Sequence, residues 1–152
     1  MTWAKGRNEI DGLIARGEID RVAPNDALAE RYLAEAARHV ASARSIVGSD
    51  ATGSYDLAYD AARKACVALL IFQGLRPTSA GGHVAVADAV QAQFGPPFDS
   101  LNRLRRQRNR NEYPDVATPT TTQADAEHAI EVAVRLIEGA RGLLGSGQLD
   151  RF

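Results

Sequence analysis

Residues 54–76 read SYDLAYDAARKACVALLIFQGLR, and the spacing of their apolar side chains decides the fold. Tyr55, Ala58, Tyr59, Ala62, Cys66, Leu69 and Phe72 recur at three- and four-residue intervals, which lines them along one face of an α-helix. A helix is expected over about 55–73, with Gly74 as its C-terminal stop. Upstream, Asn25 can accept a backbone hydrogen bond as the N-cap of a second long helix, in which Leu28, Tyr32, Ala36, Val40, Ala43 and Val47 form a stripe ending at Gly48. Two long helices joined by a short loop lie antiparallel.

Outside this pair the same period recurs. Toward the N-terminus a short helix over about 3–16 carries Trp3, Ile10, Leu13 and Ile14, followed by Gly17 and a connector over 18–24. Downstream, Arg76, Pro77 and the Gly81-Gly82 pair interrupt the pattern, and a shorter helix presents Val84, Ala87, Val90 and Phe94 before Gly95-Pro96-Pro97. Residues 98–114, FDSLNRLRRQRNRNEYP, form a helix capped by Asp99 or Ser100, with only Phe98, Leu101 and Leu104 to bury. Pro114 ends it, because a residue before proline is excluded from helical geometry. After a threonine-rich link over 118–122, a last helix carries Ala126, Ile130, Ala133, Ile137 and Leu144, with Asp125 and Glu127 near its positive N-terminal end. The expected class is all-α, an antiparallel helical bundle of about five to six helices with no sheet. Residues 1–24 form an N-terminal helix and connector packed on a bundle over 25–144, and 145–152 form a loose C-terminal tail.

A chain of 152 residues fits one domain. The single cysteine, Cys66, has no disulfide partner in the chain and sits among apolar neighbours, as a packing residue would. Lys5, Arg7, Glu9 and Asp11 leave no apolar core for a signal peptide, and no apolar run approaches membrane-spanning length, so a cytoplasmic location is expected. His39 and His128 lack a metal-ligand partner one turn on, and no Cys/His or acidic cluster, phosphate loop or nucleophile elbow is present. No metal and no cofactor is expected.

The net charge of -1 conceals five arginines between Arg103 and Arg110. Arg105, Arg108, Asn109 and Glu112 fall at i, i+3, i+4 and i+7, which puts two guanidiniums, an amide and a carboxylate on one helical face. An ion pair between Arg108 and Glu112 would make this a solvated surface of small energetic weight. Guanidiniums without acidic partners instead offer planar forks of donors matched to phosphate oxygens, and Arg105, Arg108, Asn109 and Arg110 are the RNA- or phosphate-binding candidates.

The order of parts, SYDLAYDAARKACVALLIFQGLR, then a helix opened by GGH, then FDSLNRLRRQRNRNEYP, resembles the HEPN family (higher eukaryote and prokaryote nucleotide-binding domains) over most of residues 25–144. The resemblance implies a compact helical bundle that forms a homodimer. It also implies membership of a bacterial toxin-antitoxin or defence pair, with a nucleotidyltransferase-like antitoxin as a partner and RNA or a nucleotide as ligand. Many members are metal-independent endoribonucleases whose motif is an Arg, often followed by Asn, then a His after four to six intervening residues. Arg108 and Asn109 match the first half, but Tyr113, Pro114 and Asp115 stand where the histidine would fall. The chain is thus a variant without the motif histidine, and standard ribonuclease activity is not expected.

Chemistry explains why that matters. Cleavage through the ribose 2′-hydroxyl needs a base poised near neutral pH, which histidine supplies unaided and tyrosine, with a pKa of about 10, does not. If the chain is an enzyme, it is a metal-independent endoribonuclease with Arg108 and Asn109 at its centre and Tyr113, Glu112 or the auxiliary His83 replacing the histidine. A third class is a structural or protein-interaction partner without catalysis. In family pairs a tyrosine near the motif receives AMP from the partner, which makes Tyr113 the candidate acceptor here.

Overall fold

Side-chain caps set where the long helices start. In the computed structural model, which describes residues 3–152, Asn25 Oδ1 accepts from Leu28 N at 2.9 Å and opens α2 (Asp26–Ile46). Asp50 accepts from Gly53 N and opens α3 (Ala51–Gln73), while Thr122 and Asp125 form a reciprocal capping box at the start of Gln123–Gly145. Each cap satisfies amides that the first helical turn leaves without partners.

Among the described residues the order is α1 (Arg7–Ala15), β1 (Ile19–Arg21), α2, α3, β2 (Leu75–Pro77), α4 (Gly82–Phe94), α5 (Ser100–Glu112) and α6 (Gln123–Gly145). The bundle is all-α apart from one two-stranded antiparallel ribbon, so the expectation of no sheet is corrected. Ile19, Asp20 and Arg21 pair with Pro77, Arg76 and Leu75. Ile19 and Leu75 are fully buried, whereas Asp20 and Arg76 meet in an exposed ion pair at 3.0 Å. Three residues per strand are too few to show an alternating pattern in sequence.

Helix α3 is the axis of the bundle. It packs on α2 and α6 most extensively and also meets α4, α5 and β2. Ala58, Ala61, Ala62, Ala65 and Ala68 on it are all buried without exposure, and such small side chains let neighbouring helices approach closely from several sides. Cys66 is sealed in this core, and burial pushes its thiol well above the ordinary range. No described helix is long and apolar enough to cross a membrane.

Three local expectations are revised. Gly6, at φ 73°, turns the chain so that α1 begins only at Arg7, and Trp3 stays off the helix with its ring 5.6 Å from that of Phe94. Asp99 adopts helical angles and makes no side-chain cap for α5. The tail expected to be loose is docked: Leu149 is buried, Phe152 N donates to Gln73 O at 2.9 Å, and Arg151 pairs with Asp26 at 3.0 Å. The guanidiniums of Arg7 and Arg21 lie 4.7 Å and 5.4 Å from the centre of the Phe152 ring. These partners come from α1, β1, α2 and α3, and none is local to the tail in sequence.

Candidate functional site

Only Leu101 and Leu104 of α5 are buried, so the helix lies on the bundle by a narrow apolar seam and both its flanks remain available. One flank turns toward α3 and the start of α4. Arg108, partly exposed, reaches Glu112 one turn on at 3.8 Å, at the long limit of an ion pair. Arg105 donates from Nε and Nη2 to Asn102 Oδ1 at 3.0 Å and 2.9 Å, a neutral partner that leaves its charge uncompensated. Asn109 is exposed and Glu112 is exposed at the helix end.

Helix α3 supplies the wall that faces them. Tyr59 is buried, and its hydroxyl meets His83 Nδ1 at 2.9 Å. Burial pushes the Tyr59 phenol up to about 12 against the opposing charges of Arg63, Arg105 and Arg108, so it stays protonated at neutral pH. His83 carries the complementary signature. Its partial burial, then the positive charges of Arg63 and Arg108, hold its pKa below the usual value, with Asp60 opposing and Arg105 adding to the fall. Arg63 is itself paired with Asp60 at 2.6 Å. An imidazole brought from α4 therefore stands within the field of both Arg105 and Arg108.

Gly81 explains why α4 can begin there. A β-carbon at that position would meet Glu18 O at 2.4 Å and Ala85 Cβ at 2.7 Å, so the helix start seats on the α1–β1 turn only with a bare backbone. His83 follows two residues later.

A carboxylate completes this flank. Asp56 is half-buried on α3 with Oδ1 lacking any hydrogen-bond partner, and burial raises its pKa against the charge of Arg108, with Glu112 and Asp50 adding to the rise. Neither Asp56 nor Tyr59 stood out in sequence as a site residue. Their signal was the doubled Tyr-Asp step, Tyr55-Asp56 and Tyr59-Asp60, four residues apart on a helix otherwise filled with alanine.

Other residues singled out in sequence are not gathered here. Arg110 lies on the opposite flank of α5, where Nη2 donates to Gln107 Oε1 at 2.5 Å and the charge acts on Tyr55. Two residues along a helix turn by about 200°, so Arg110 cannot share the face of Arg108. Tyr113, past the end of α5, is 79 % exposed. His39 pairs with Asp60 at 3.4 Å, and His128 lies on the Arg110 side. Among the described residues no group of three or more His, Cys, Asp or Glu is placed to hold a metal.

The sequence from residue 29 to residue 143 matches the HEPN domain family. The chain belongs to the HEPN family. No curated protein and no solved structure gives a significant match. The matched region of this HEPN domain starts within α2 and ends near the end of α6, and so contains α3, α4 and α5 with every site residue named above. A HEPN domain is consistent with a function related to RNA or nucleotides.

Proposed function

We propose that this HEPN domain binds RNA or a nucleotide phosphate through Arg105, Arg108 and Asn109, as one component of a bacterial toxin-antitoxin or defence pair, without the ribonuclease chemistry usual in the family. The observation that carries this is the state of the two guanidiniums. Arg105 has only an amide as partner, and the contact of Arg108 with Glu112 is long and partly exposed. Donors in that state lose little by turning to a phosphate.

The test is fluorescence anisotropy with a labelled single-stranded RNA. Binding should weaken steeply with salt, and the Arg105→Ala/Arg108→Ala pair should lower affinity at least about tenfold and shallow the log-log salt slope by about 1.4. An affinity untouched by the double substitution removes this face from consideration, and indifference to RNA leaves the structural-partner class standing. A homodimer belongs to the same reading. Val84, Tyr113 and Val116 are exposed large apolar or aromatic side chains at the start of α4 and beyond α5, where a second copy would cover them. Light scattering that gives a monomer at micromolar concentration counts against it.

Tyr113 is the acceptor if the partner is a nucleotidyltransferase-like antitoxin that transfers AMP. Its phenol is open to solvent and makes no hydrogen bond among the described residues. An AMP there would bring a phosphate to the end of the arginine helix and occupy donors that RNA would use. Intact-mass spectrometry after co-expression with the neighbouring gene should show one AMP-sized increase in the parent chain and none in Tyr113→Phe. An increase that survives the substitution moves the acceptor elsewhere.

A second reading, an active metal-independent endoribonuclease, is favoured by one specific observation, the placement of His83 beside Tyr59 within the field of Arg105 and Arg108. In that case His83 replaces the motif histidine, in preference to the other two candidates, Glu112 and Tyr113, which are exposed at the helix end.

A further inference from the structure

The flank of α5 opposite Arg108 faces a cleft of about 430 Å³, closed by α3, the first turns of α6 and the 119–120 segment. Tyr55 lines it from α3, Arg103 and Arg110 from α5, His128 from α6, and Leu104 gives it an apolar lining. Tyr55 is only 4 % exposed and lines the cleft, and among the described residues its hydroxyl, which is not sealed from solvent, makes no hydrogen bond. With its ring fixed in the core and its hydroxyl left to solvent at the cleft, Tyr55 holds a positioned donor for a ligand atom that takes the place of water.

The charges agree with that. Arg103 makes no ion pair or hydrogen bond among the described residues, and Arg110 donates only to the amide of Gln107. The one carboxylate on the cleft, Asp125, is engaged at its own helix start, where Oδ2 accepts from Thr122 N at 2.9 Å. Burial, reinforced by Asp125 and opposed by Arg110, pushes the Tyr55 phenol up to about 12, so it remains a neutral donor. Two guanidiniums without an acidic partner and one neutral hydroxyl form a donor set for a compact dianion with three terminal oxygens.

We infer that this cleft is a second anion site, separate from the Arg105–Arg108 face, and that it takes a terminal phosphomonoester. A phosphodiester offers one negative charge and two free oxygens, whereas a monoester offers nearly two charges and three oxygens to Arg103, Arg110 and Tyr55. A volume of about 430 Å³ lies at the small end of ligand pockets and holds a phosphate with at most one attached nucleoside. The phosphate can come from a free mononucleotide or from the 5′ end of an RNA strand, and the experiment separates the two.

In isothermal titration calorimetry the full chain is titrated with inorganic phosphate, adenosine and AMP, and in parallel with one short RNA carrying either a 5′-phosphate or a 5′-hydroxyl. Saturable one-to-one binding of AMP over adenosine supports a free mononucleotide. A preference of about tenfold or more for the 5′-phosphorylated RNA supports a strand end. Either preference should fall about tenfold in Arg103→Ala/Arg110→Ala and be reduced in Tyr55→Phe, which keeps the ring in the core and removes only the hydroxyl. Both should persist in Arg105→Ala/Arg108→Ala, so failure here and failure of the RNA face are told apart. Absence of any preference for a terminal phosphate, or one unchanged by the Arg103/Arg110 and Tyr55 substitutions, overturns the inference.

Discussion

Truncating Leu101 to alanine is expected to loosen the arginine helix and, under the proposed function, to weaken RNA binding, although no proposed donor to RNA is removed. Helix α5 buries only Leu101, without exposure, and Leu104 at 3 %. Phe98, just before the helix, anchors its start with a ring 5.5 Å from that of Phe94. Removing a fully buried leucine side chain costs about 2–5 kcal/mol, a large share of the roughly 5–15 kcal/mol that holds a domain together. At Leu101 that loss falls on a seam of two residues, so α5 should open locally at a lower free energy than the bundle. Hydrogen exchange should show α5 amides losing protection beyond those of α3, with a parallel fall in RNA affinity. Leu33→Ala, at an equally buried position in α2, should lower overall stability without singling out α5. Equal loss of protection in α3 and α5 for the Leu101 variant would mean that the arginine helix is held by more than its seam.

The helices were legible because their information is local. The three- and four-residue spacing from Tyr55 to Leu69, the Asn25 cap and the acidic first turn of α6 all act within a few residues of themselves. The site was legible only in half. Arg105, Arg108 and Glu112 share one helix, and their common flank follows from helical geometry alone, as does the exclusion of Arg110, which the same rotation carries to the other side. Tyr59, Asp56 and His83 reach that flank because α3 and α4 pack on α5, and no local pattern encodes which helices will be neighbours. Tyr59 was read correctly as a core residue. What its periodicity could not show is that a buried ring can hold its hydroxyl at the rim of the core, against a histidine 24 positions away. The docked tail was hidden for the same reason, since Phe152 depends on Arg7, Arg21 and Gln73, all more than 70 positions distant.

If the chain cleaves RNA, replacing His83 by alanine should slow metal-independent cleavage by about 10²–10⁴-fold, the range expected for a lost general base. The base form requires Nδ1–H to donate to the Tyr59 oxygen at 2.9 Å, leaving the Nε2 lone pair to take the proton of a ribose 2′-hydroxyl. As that oxygen attacks phosphorus, Arg105 and Arg108 offset the charge gathering on the phosphate, and the 5′-oxygen departs after taking a proton from the imidazolium. Because the Tyr59 hydroxyl can also donate to Nδ1, the same pair supports the tautomer with a proton on Nε2. Tyr59→Phe should therefore keep the fold and slow cleavage less than loss of His83, acting through the position and tautomer of the ring. The pH profile supplies an independent signature. Burial and the charges of Arg63, Arg108 and Arg105 lower the His83 pKa, so the acid limb of kcat/KM, which reports the free protein, should lie below the ordinary histidine value of about 6.5. Bound RNA phosphate offsets those guanidiniums, which favours the protonated ring, so the acid limb of kcat should lie higher than that of kcat/KM. Intact RNA after long incubation at neutral pH would leave this HEPN domain a binder, and cleavage undiminished in His83→Ala would place the base elsewhere.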